Sequence, residues 1–145
     1  MYKRILIPTD GSDASNRAIG AGMQLAKSLH AEVVALTVIP NYHILSLAAD
    51  QLEHTPGEFE SEGRLLAQRR LQQVSQSADE AGVPCSCEIV TSDHPYEAIV
   101  DTARERDCDL INMASHGHRG VKGLLLGSET QKVLTHSAIP VLVHR

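Results

Sequence analysis

The chain has 145 residues, of which 42% are hydrophobic and 21% are charged, and its formal net charge is -5. This composition is typical of a globular protein, and the length predicts a single domain over residues 1–145. The acidic balance and the aromatic content of 3% disfavour a nucleic-acid partner, which needs a basic face and often uses aromatic stacking. No apolar run approaches the ~20 residues of a membrane span, and the first residues are too few for a signal peptide, so we expect a cytoplasmic protein without membrane association.

The first part of the chain reads as strand, helix and strand. Lys3 to Ile7 is an apolar run ended by Pro8, which predicts the first strand. Ser12 or Asp13 is a suitable cap for a helix that runs to about His30, because apolar residues recur beyond it at helical spacing. Glu32 to Ile39 is apolar and rich in β-branched residues, which predicts a second buried strand.

The remainder of the chain repeats this alternation after an uninformative segment. Residues 41–60 show no clear period, and a loop, a lid and a short helix all remain open for them. A helical period then runs from Ala67 to Ala81, and Gly82 followed by Pro84 is a strong stop signal. The predicted elements that follow are a strand at Cys85 to Thr91, a helix from about Pro95, a strand at Leu110 to Ala114, a helix at Ser128 to His136 and a strand at Val141 to Val143.

Alternating strands and helices with non-alternating, apolar strands predict an α/β fold with a parallel sheet covered by helices on both faces. Ligands bind such sheets at the carboxyl ends of the strands, where the strand order reverses. In a five-stranded sheet of order 3-2-1-4-5, that point lies between the first and fourth strands. It would bring Pro8, Thr9 and Asp10 beside the segment from Met113 to Gly117.

The stretch after the fourth strand has the parts of a phosphate site. A loop with Gly117, Gly120 and Gly123 leads to a helix start at Gly127 and Ser128, where backbone N–H groups can approach an anion. Ser128 and Gln131 have the spacing of a capping box, so Ser128 is either a cap alone or also a phosphate contact. Asp10 is either a turn residue bonded to its own backbone or an acceptor for a sugar hydroxyl or an exocyclic amine. Neither standard phosphate fingerprint is present.

Cysteine and histidine give weaker signals. Cys85 and Cys87 point to the same face of a predicted strand, a geometry that suits a disulfide poorly. A buried apolar role is the main interpretation of the cysteines, and a redox or metal role is the alternative. His116 and His118 are a close histidine pair without a recognisable zinc spacing around them, so we expect no metal held by protein ligands.

Three stretches carry a resemblance to a known family: RILIPTDGS at the start, LTVIP at the end of the second strand, and SHGHRGVKGLLLGSETQKVLTHSAIPVLVHR at the end of the chain. Together they resemble the universal stress protein family over nearly the whole chain. The resemblance implies a Rossmann-like fold of the adenine nucleotide alpha hydrolase kind, with the strand order given above. It also implies adenine-nucleotide binding and a homodimer formed by pairing of the C-terminal strands.

The nucleotide-binding branch of that family has a motif of glycine, two residues, glycine, nine residues, then glycine followed by Ser or Thr. Gly117, Gly127 and Ser128 match it, whereas Ala114 replaces the first glycine and Glu129 stands where an apolar residue is common. We expect the Glu129 carboxylate to turn outward into solvent, away from the phosphates. The resemblance implies that the adenine and ribose end is lined by Pro8, Thr9, Asp10, Val38, Met113 and Ala114, and that the phosphates are held by Gly117, His118, Gly127, Ser128 and the backbone of Glu129.

The resemblance therefore implies an ATP-binding, stress-linked sensor or regulator, with Mg²⁺ or another divalent ion held by the phosphates. Arg119 and Lys122 either neutralise phosphate charge or belong to a solvated loop. Any ATP hydrolysis should be slow, because no positioned general base is recognisable. The alternative is a dimeric interaction module of the same family that has lost nucleotide binding, and Ala114 and Glu129 favour it. A nucleotide-processing enzyme is a third, weaker interpretation.

Overall fold

A computed structural model describes residues 1–42, 55–118 and 126–145 of the chain. Within them, parallel strands form one sheet in the order β3-β2-β1-β4-β5, which confirms the predicted order. The strands are β1 (Arg4–Pro8), β2 (Glu32–Ile39), β3 (Cys85–Thr91), β4 (Leu110–Ala114) and β5 (Val141–His144). The predicted β2, β3 and β4 match residue for residue, and β1 and β5 differ by one residue at their ends.

The described helices are α1 (Asp13–Leu29), α2 (Pro56–Ala81), α3 (Pro95–Glu105) and α4 (Ser128–His136). The second helix starts much earlier than the apolar period at Ala67 suggests. A capping box fixes its first turn, because the Thr55 hydroxyl accepts from the Glu58 N–H while the Glu58 carboxylate accepts from the Thr55 N–H. The end of the uninformative segment is therefore helical, while residues 43–54 lie outside the described residues. None of the described helices has the length and apolarity needed to cross a membrane.

Two apolar layers hold these helices on opposite faces of the sheet. Alternate side chains of β1 serve the two layers: Ile5 and Ile7 pack towards α1 and α2, and Leu6 packs towards α3 and α4. All three are fully buried, and each such side chain contributes about 1.5–3 kcal/mol relative to an exposed one. The central strand is therefore the most firmly held part of the sheet.

The strand order reverses between β1 and β4. From β1 the chain moves outward to β2 and β3, then returns to pair β4 against the other side of β1 and continues to β5. The loops that leave the carboxyl ends of β1 and β4 consequently lead to helices on opposite faces of the sheet. The carboxyl ends of these two strands define the candidate site.

Candidate functional site

The turn after β1 is held by hydrogen bonds to the neighbouring strand. The Thr9 N–H donates to the Leu36 carbonyl at 2.8 Å, and the Thr37 hydroxyl donates to the Thr9 carbonyl at 3.0 Å. The Thr9 hydroxyl accepts from the Gly11 N–H at 3.1 Å and also contacts the Ser15 hydroxyl. Thr9 is buried, so its side chain shapes the turn instead of facing outward.

Asp10 links this turn to the loop after β4. One carboxylate oxygen accepts from the Ser12 N–H at 2.9 Å, which is the local turn expected for Asp. The other accepts from the His118 N–H, also at 2.9 Å. Burial by itself would raise the pKa of Asp10, but the hydrogen bonds from Ser12 and His118 outweigh it and hold the pKa below its ordinary value. The two strand ends therefore meet through an ionised carboxylate.

Gly117 has no room for a side chain at this contact. A Cβ atom built on Gly117 would lie 2.1 Å from the Asp10 Oδ2 atom, far inside van der Waals contact. The motif glycine thus lets the β4 loop approach the carboxylate closely enough for the adjacent His118 N–H to donate to it. This contact is a structural reason for glycine at position 117.

The start of α4 is fixed on the end of β4 by a second close approach. The Gly127 N–H donates to the Ser115 carbonyl at 2.6 Å, and a Cβ on Gly127 would lie 3.1 Å from that oxygen and 3.2 Å from the His116 Cα. The Thr130 hydroxyl is within donating distance of two carbonyl oxygens, that of Ala114 at 3.0 Å and that of Ser115 at 3.1 Å. The N-terminus of α4 is therefore held directly beside the β4 loop.

The predicted helix start at Ser128 is right, but the predicted capping box is wrong. Gly127, in an extended conformation, is the N-cap and makes no side-chain cap, so Ser128 is the first helical residue. Gln131 instead donates from its amide to the Leu126 carbonyl at 3.1 Å. Ser128 is exposed at the first helical position, and the N–H groups of a helix's first turn have no partner within the helix, so this end of α4 is suited to an anion.

Ala114, which replaces the first motif glycine, creates no backbone strain. It lies in β4 with ordinary strand geometry, and its methyl group packs against Ala14 and Ala18 of α1. The methyl group is therefore part of the contact between the sheet and α1. A larger side chain at this position would displace α1.

The Glu129 side chain is 38% exposed, in keeping with the expected outward orientation, but its carboxylate also contacts the neighbouring helix α3. Its Oε2 atom accepts from the Tyr96 N–H at 2.9 Å, and Oε1 lies 3.3 Å from the Lys132 Nζ. Tyr96 lies in the first turn of α3, whose own N-cap, His94, makes no side-chain cap. Glu129 therefore supplies the missing cap from the neighbouring helix.

The other predicted residues divide into two groups. Pro8 and Val38 are half-buried at the carboxyl ends of β1 and β2, whereas the Met113 side chain is buried in the apolar layer beneath α3 and α4. Arg119, Gly120, Lys122 and Gly123 lie outside the described residues.

The sequence analysis did not identify Arg70 of α2 as a neighbour of the site. Its Nε would lie 2.7 Å from a Cβ on Gly11, so its guanidinium side chain lies against the turn beside Asp10. No local pattern links positions so distant in the chain.

Comparison with known proteins gives one consistent result. The family model described as the universal stress protein family matches residues 1–145. The chain is 36% identical over 146 residues to universal stress protein MJ0531 of Methanocaldococcus jannaschii, covering 99% of this chain and 82% of the relative.

Solved structures agree. Universal stress protein UspA from Lactobacillus plantarum matches with a TM-score of 0.85 and 26% identity, covering 99% of this chain and 98% of that one. A universal stress protein crystallised in complex with cAMP matches with a TM-score of 0.73 and 29% identity, covering 99% and 97%. Because the family model matches residues 1–145 and a relative is 36% identical over 99% of the chain, the chain belongs to the universal stress protein family.

Proposed function

We propose that this protein binds ATP, with Mg²⁺ held by the phosphates, and acts as a stress-linked sensor or regulator. The observation that carries the proposal is the junction at Asp10. An ionised carboxylate at the end of β1 holds the β4 loop, directly beside the N-terminus of α4. The same sheet edge therefore has an acceptor for hydroxyl groups and a set of donors for phosphates.

Each part of the nucleotide has a partner with suitable chemistry. Both Asp10 oxygens already accept backbone hydrogen bonds, but a carboxylate has about four acceptor sites, so it can also accept from the ribose hydroxyls. The half-buried Pro8 and Val38 offer apolar surface to the adenine. We assign the phosphates to the Ser128 hydroxyl and to the N–H groups of Ser128 and Glu129, where the helix dipole also favours negative charge.

We infer that the two departures from the family motif are compatible with nucleotide binding. The Ala114 methyl group packs on α1, so it does not require a strained backbone at the ribose. The Glu129 carboxylate is engaged by the Tyr96 N–H and Lys132, which directs its charge towards α3. These contacts weigh against the alternative function, an interaction module that has lost its nucleotide.

A family member that binds an adenine nucleotide supports the same ligand class, since the relative solved with cAMP is 29% identical over 99% of this chain.

The polar groups near the β4 loop support slow hydrolysis of ATP at most. The Ser115 hydroxyl contacts His116 Nδ1 at 3.0 Å, but Ser115 is only 3% exposed, so it is not presented to a substrate. We therefore propose a binding role in which hydrolysis is incidental.

Calorimetric titration with Mg-ATP, AMP and cAMP tests this proposal. The variant Gly127→Asp places a side chain against the Ser115 and His116 backbone and adds a negative charge at the phosphates, so saturable binding should be lost. Gly63→Asp in α2 is the matched control, because it adds the same charge where no atom lies within 4 Å of the new Cβ. Absence of binding by the unmodified protein at millimolar ATP would instead support the interaction module.

We also propose a homodimer formed by antiparallel or parallel pairing of β5 with its copy. β5 is the last strand at one edge of the sheet, and Leu142 on it is 39% exposed. The Pro140 and His144 carbonyls accept from β4, so the strand period directs the backbone groups of Val141 and Val143 to the open edge. An open edge of this kind is a template for pairing with another chain.

Analytical ultracentrifugation tests the dimer. Val143→Pro removes an N–H that points to the open edge, and it leaves the hydrogen bonds to β4 in place. Proline is tolerated at such outward-facing positions of an edge strand. Both Val143→Pro and Leu142→Lys should shift the protein to monomer. Leu65→Lys, at a 48% exposed leucine on α2, is the control and should remain dimeric. A monomeric unmodified protein would contradict the proposal.

A further inference from the structure

Two thiols lie together on the sheet edge opposite β5, far from the nucleotide site in the fold. β3 is the terminal strand on that side, and Cys85 and Cys87 pair with Val33 and Ala35 of β2. Val33 and Ala35 belong to the apolar layer under α1 and α2, so both cysteines also face α2. The Cys87 Sγ atom lies 4.0 Å from the Leu71 carbonyl of α2, which places it at the contact between helix and strand.

The two thiols lie two residues apart on the same face of β3, and Cys87 is reachable from solvent. The Cys85 thiol donates to the Ser86 carbonyl at 3.7 Å, a weak contact that a stronger ligand can replace. Cys87 is exposed, Cys85 is half-buried, and both are free. Cys87 also lines a hollow of about 320 Å³ between α2 and β3, together with Leu71, Ser75 and Ile89. A small ion or its carrier can therefore approach the pair from outside.

Strand geometry favours a bridge by an ion over a direct disulfide. Residues two apart in a strand are separated by about 6.6 Å, and their parallel Cα–Cβ bonds keep the Cβ atoms about as far apart. A disulfide needs Cβ atoms about 3.5–4.5 Å apart, so this pair cannot form one without distorting the strand. A metal ion about 2.3 Å from each sulfur spans up to about 4.6 Å, a separation that rotation of the side chains can reach.

The ligand set indicates which ion fits. Among residues 1–42, 55–118 and 126–145, no group of three or more Cys, His, Asp or Glu side chains is placed to hold a metal. Two thiolates alone do not complete the tetrahedral set that Zn²⁺ prefers, whereas soft thiolate ligands suit Cu(I), which forms linear two-coordinate complexes.

We propose that Cys85 and Cys87 form a two-coordinate site for a soft monovalent metal ion, Cu(I). On binding, the two S–H bonds are replaced by two S–Cu bonds and two protons pass to solvent, with no change in the oxidation state of copper or sulfur. The site lies on β3 and α2, so it does not depend on nucleotide binding at β1 and β4.

Competition for Cu(I) tests the site. The reduced, full-length protein is titrated without oxygen against a chromophoric Cu(I) chelator, and the copper withdrawn from the chelator is measured. We expect one Cu(I) per chain, and roughly a 100-fold or greater loss of affinity in both Cys85→Ser and Cys87→Ser. Cys108→Ala is the matched control, because Cys108 is buried in the other apolar layer, and it should retain the affinity.

Further measurements keep a structural effect apart from a loss of ligands. Thermal unfolding of the two metal-free serine variants should match that of the unmodified protein. Cu(I) should release two protons from the unmodified protein and from Cys108→Ala, but not from either serine variant. Retained affinity in either serine variant, or an equal loss in Cys108→Ala, would overturn the proposal. Failure of the unmodified protein to compete with the chelator would overturn it as well.

Discussion

Replacement of Gly117 by alanine tests the junction on which the site depends. The new Cβ would lie 2.1 Å from the Asp10 Oδ2 atom, and ordinary contact begins at 3.4 Å, so the two atoms must separate by about 1.3 Å. A movement of that size breaks the 2.9 Å hydrogen bond from the His118 N–H to the carboxylate.

The expected loss follows from the charge on the acceptor. A hydrogen bond to a charged group contributes about 1.5–3 kcal/mol. Asp10 is half-buried, so water replaces part of the bond and we expect the lower end, about 1.5 kcal/mol. For a chain of this length that corresponds to a decrease in the melting temperature of about 3–6 °C. If the proposed function is right, displacement of the β4 loop at Gly117 and His118 should also weaken ATP binding roughly tenfold, equivalent to about 1.4 kcal/mol.

Urea unfolding and calorimetric titration with Mg-ATP measure the two effects separately. Gly20→Ala is the control: it lies in α1 with no atom within 4 Å of the new Cβ, so it should stabilise the protein by about 0.5–1 kcal/mol without changing ATP affinity. If Gly117→Ala keeps both the stability and the ATP affinity of the unmodified protein, the proposed role of the Asp10 junction is wrong.

Three further substitutions probe neighbouring contacts. Because the pKa of folded Asp10 lies below its ordinary value of about 3.9, its charge stabilises the fold above that pH and this contribution is lost as the pH falls through the folded pKa. Asp10→Asn should therefore be less stable than the unmodified protein in urea at pH 7, with the difference shrinking near pH 3; a difference independent of pH would contradict this. Gly22→Ala places a Cβ 2.6 Å from the buried Asn112 amide and should lower the free energy of unfolding by about 1–3 kcal/mol. Unchanged stability of this variant in urea would contradict that prediction. Glu129→Ala removes the cap on the Tyr96 N–H and should lower stability by about 1 kcal/mol in thermal unfolding, with a smaller loss in Glu129→Gln; equal effects of the two would exclude the capping role.

Local sequence signals predicted the regular elements well where side chains are buried. The strand from Glu32 to Ile39 matches residue for residue, because a strand covered on both faces is a continuous apolar run between polar ends. The start of α2 was missed for the opposite reason. Its first turns are exposed and polar, so they carry no apolar period, and the local signals there are the Thr55–Glu58 capping box and Pro56 at the first helical position.

Spacing alone could not assign the parts of the site. The pattern from Ser128 to Gln131 fits a capping box, but the extended backbone of Gly127, held by its hydrogen bond to Ser115, makes Gly127 the N-cap. Likewise, the outward orientation of Glu129 follows from its place in a first turn, whereas its hydrogen bond with the Tyr96 N–H of α3 does not. Both outcomes depend on neighbours from other elements.

The sequence by itself determined the order of strands and helices and, through the glycines at 117 and 127, which loop would approach another group closely. Burial, helical period and backbone preference act over a few residues, so they are legible in the chain. The tertiary structure alone decided what those glycines approach: the Asp10 carboxylate for one and the end of β4 for the other. Such contacts join residues that meet only when the sheet forms. The energy of a close approach depends on the distance and direction between both partners, and the order of residues along the chain specifies neither.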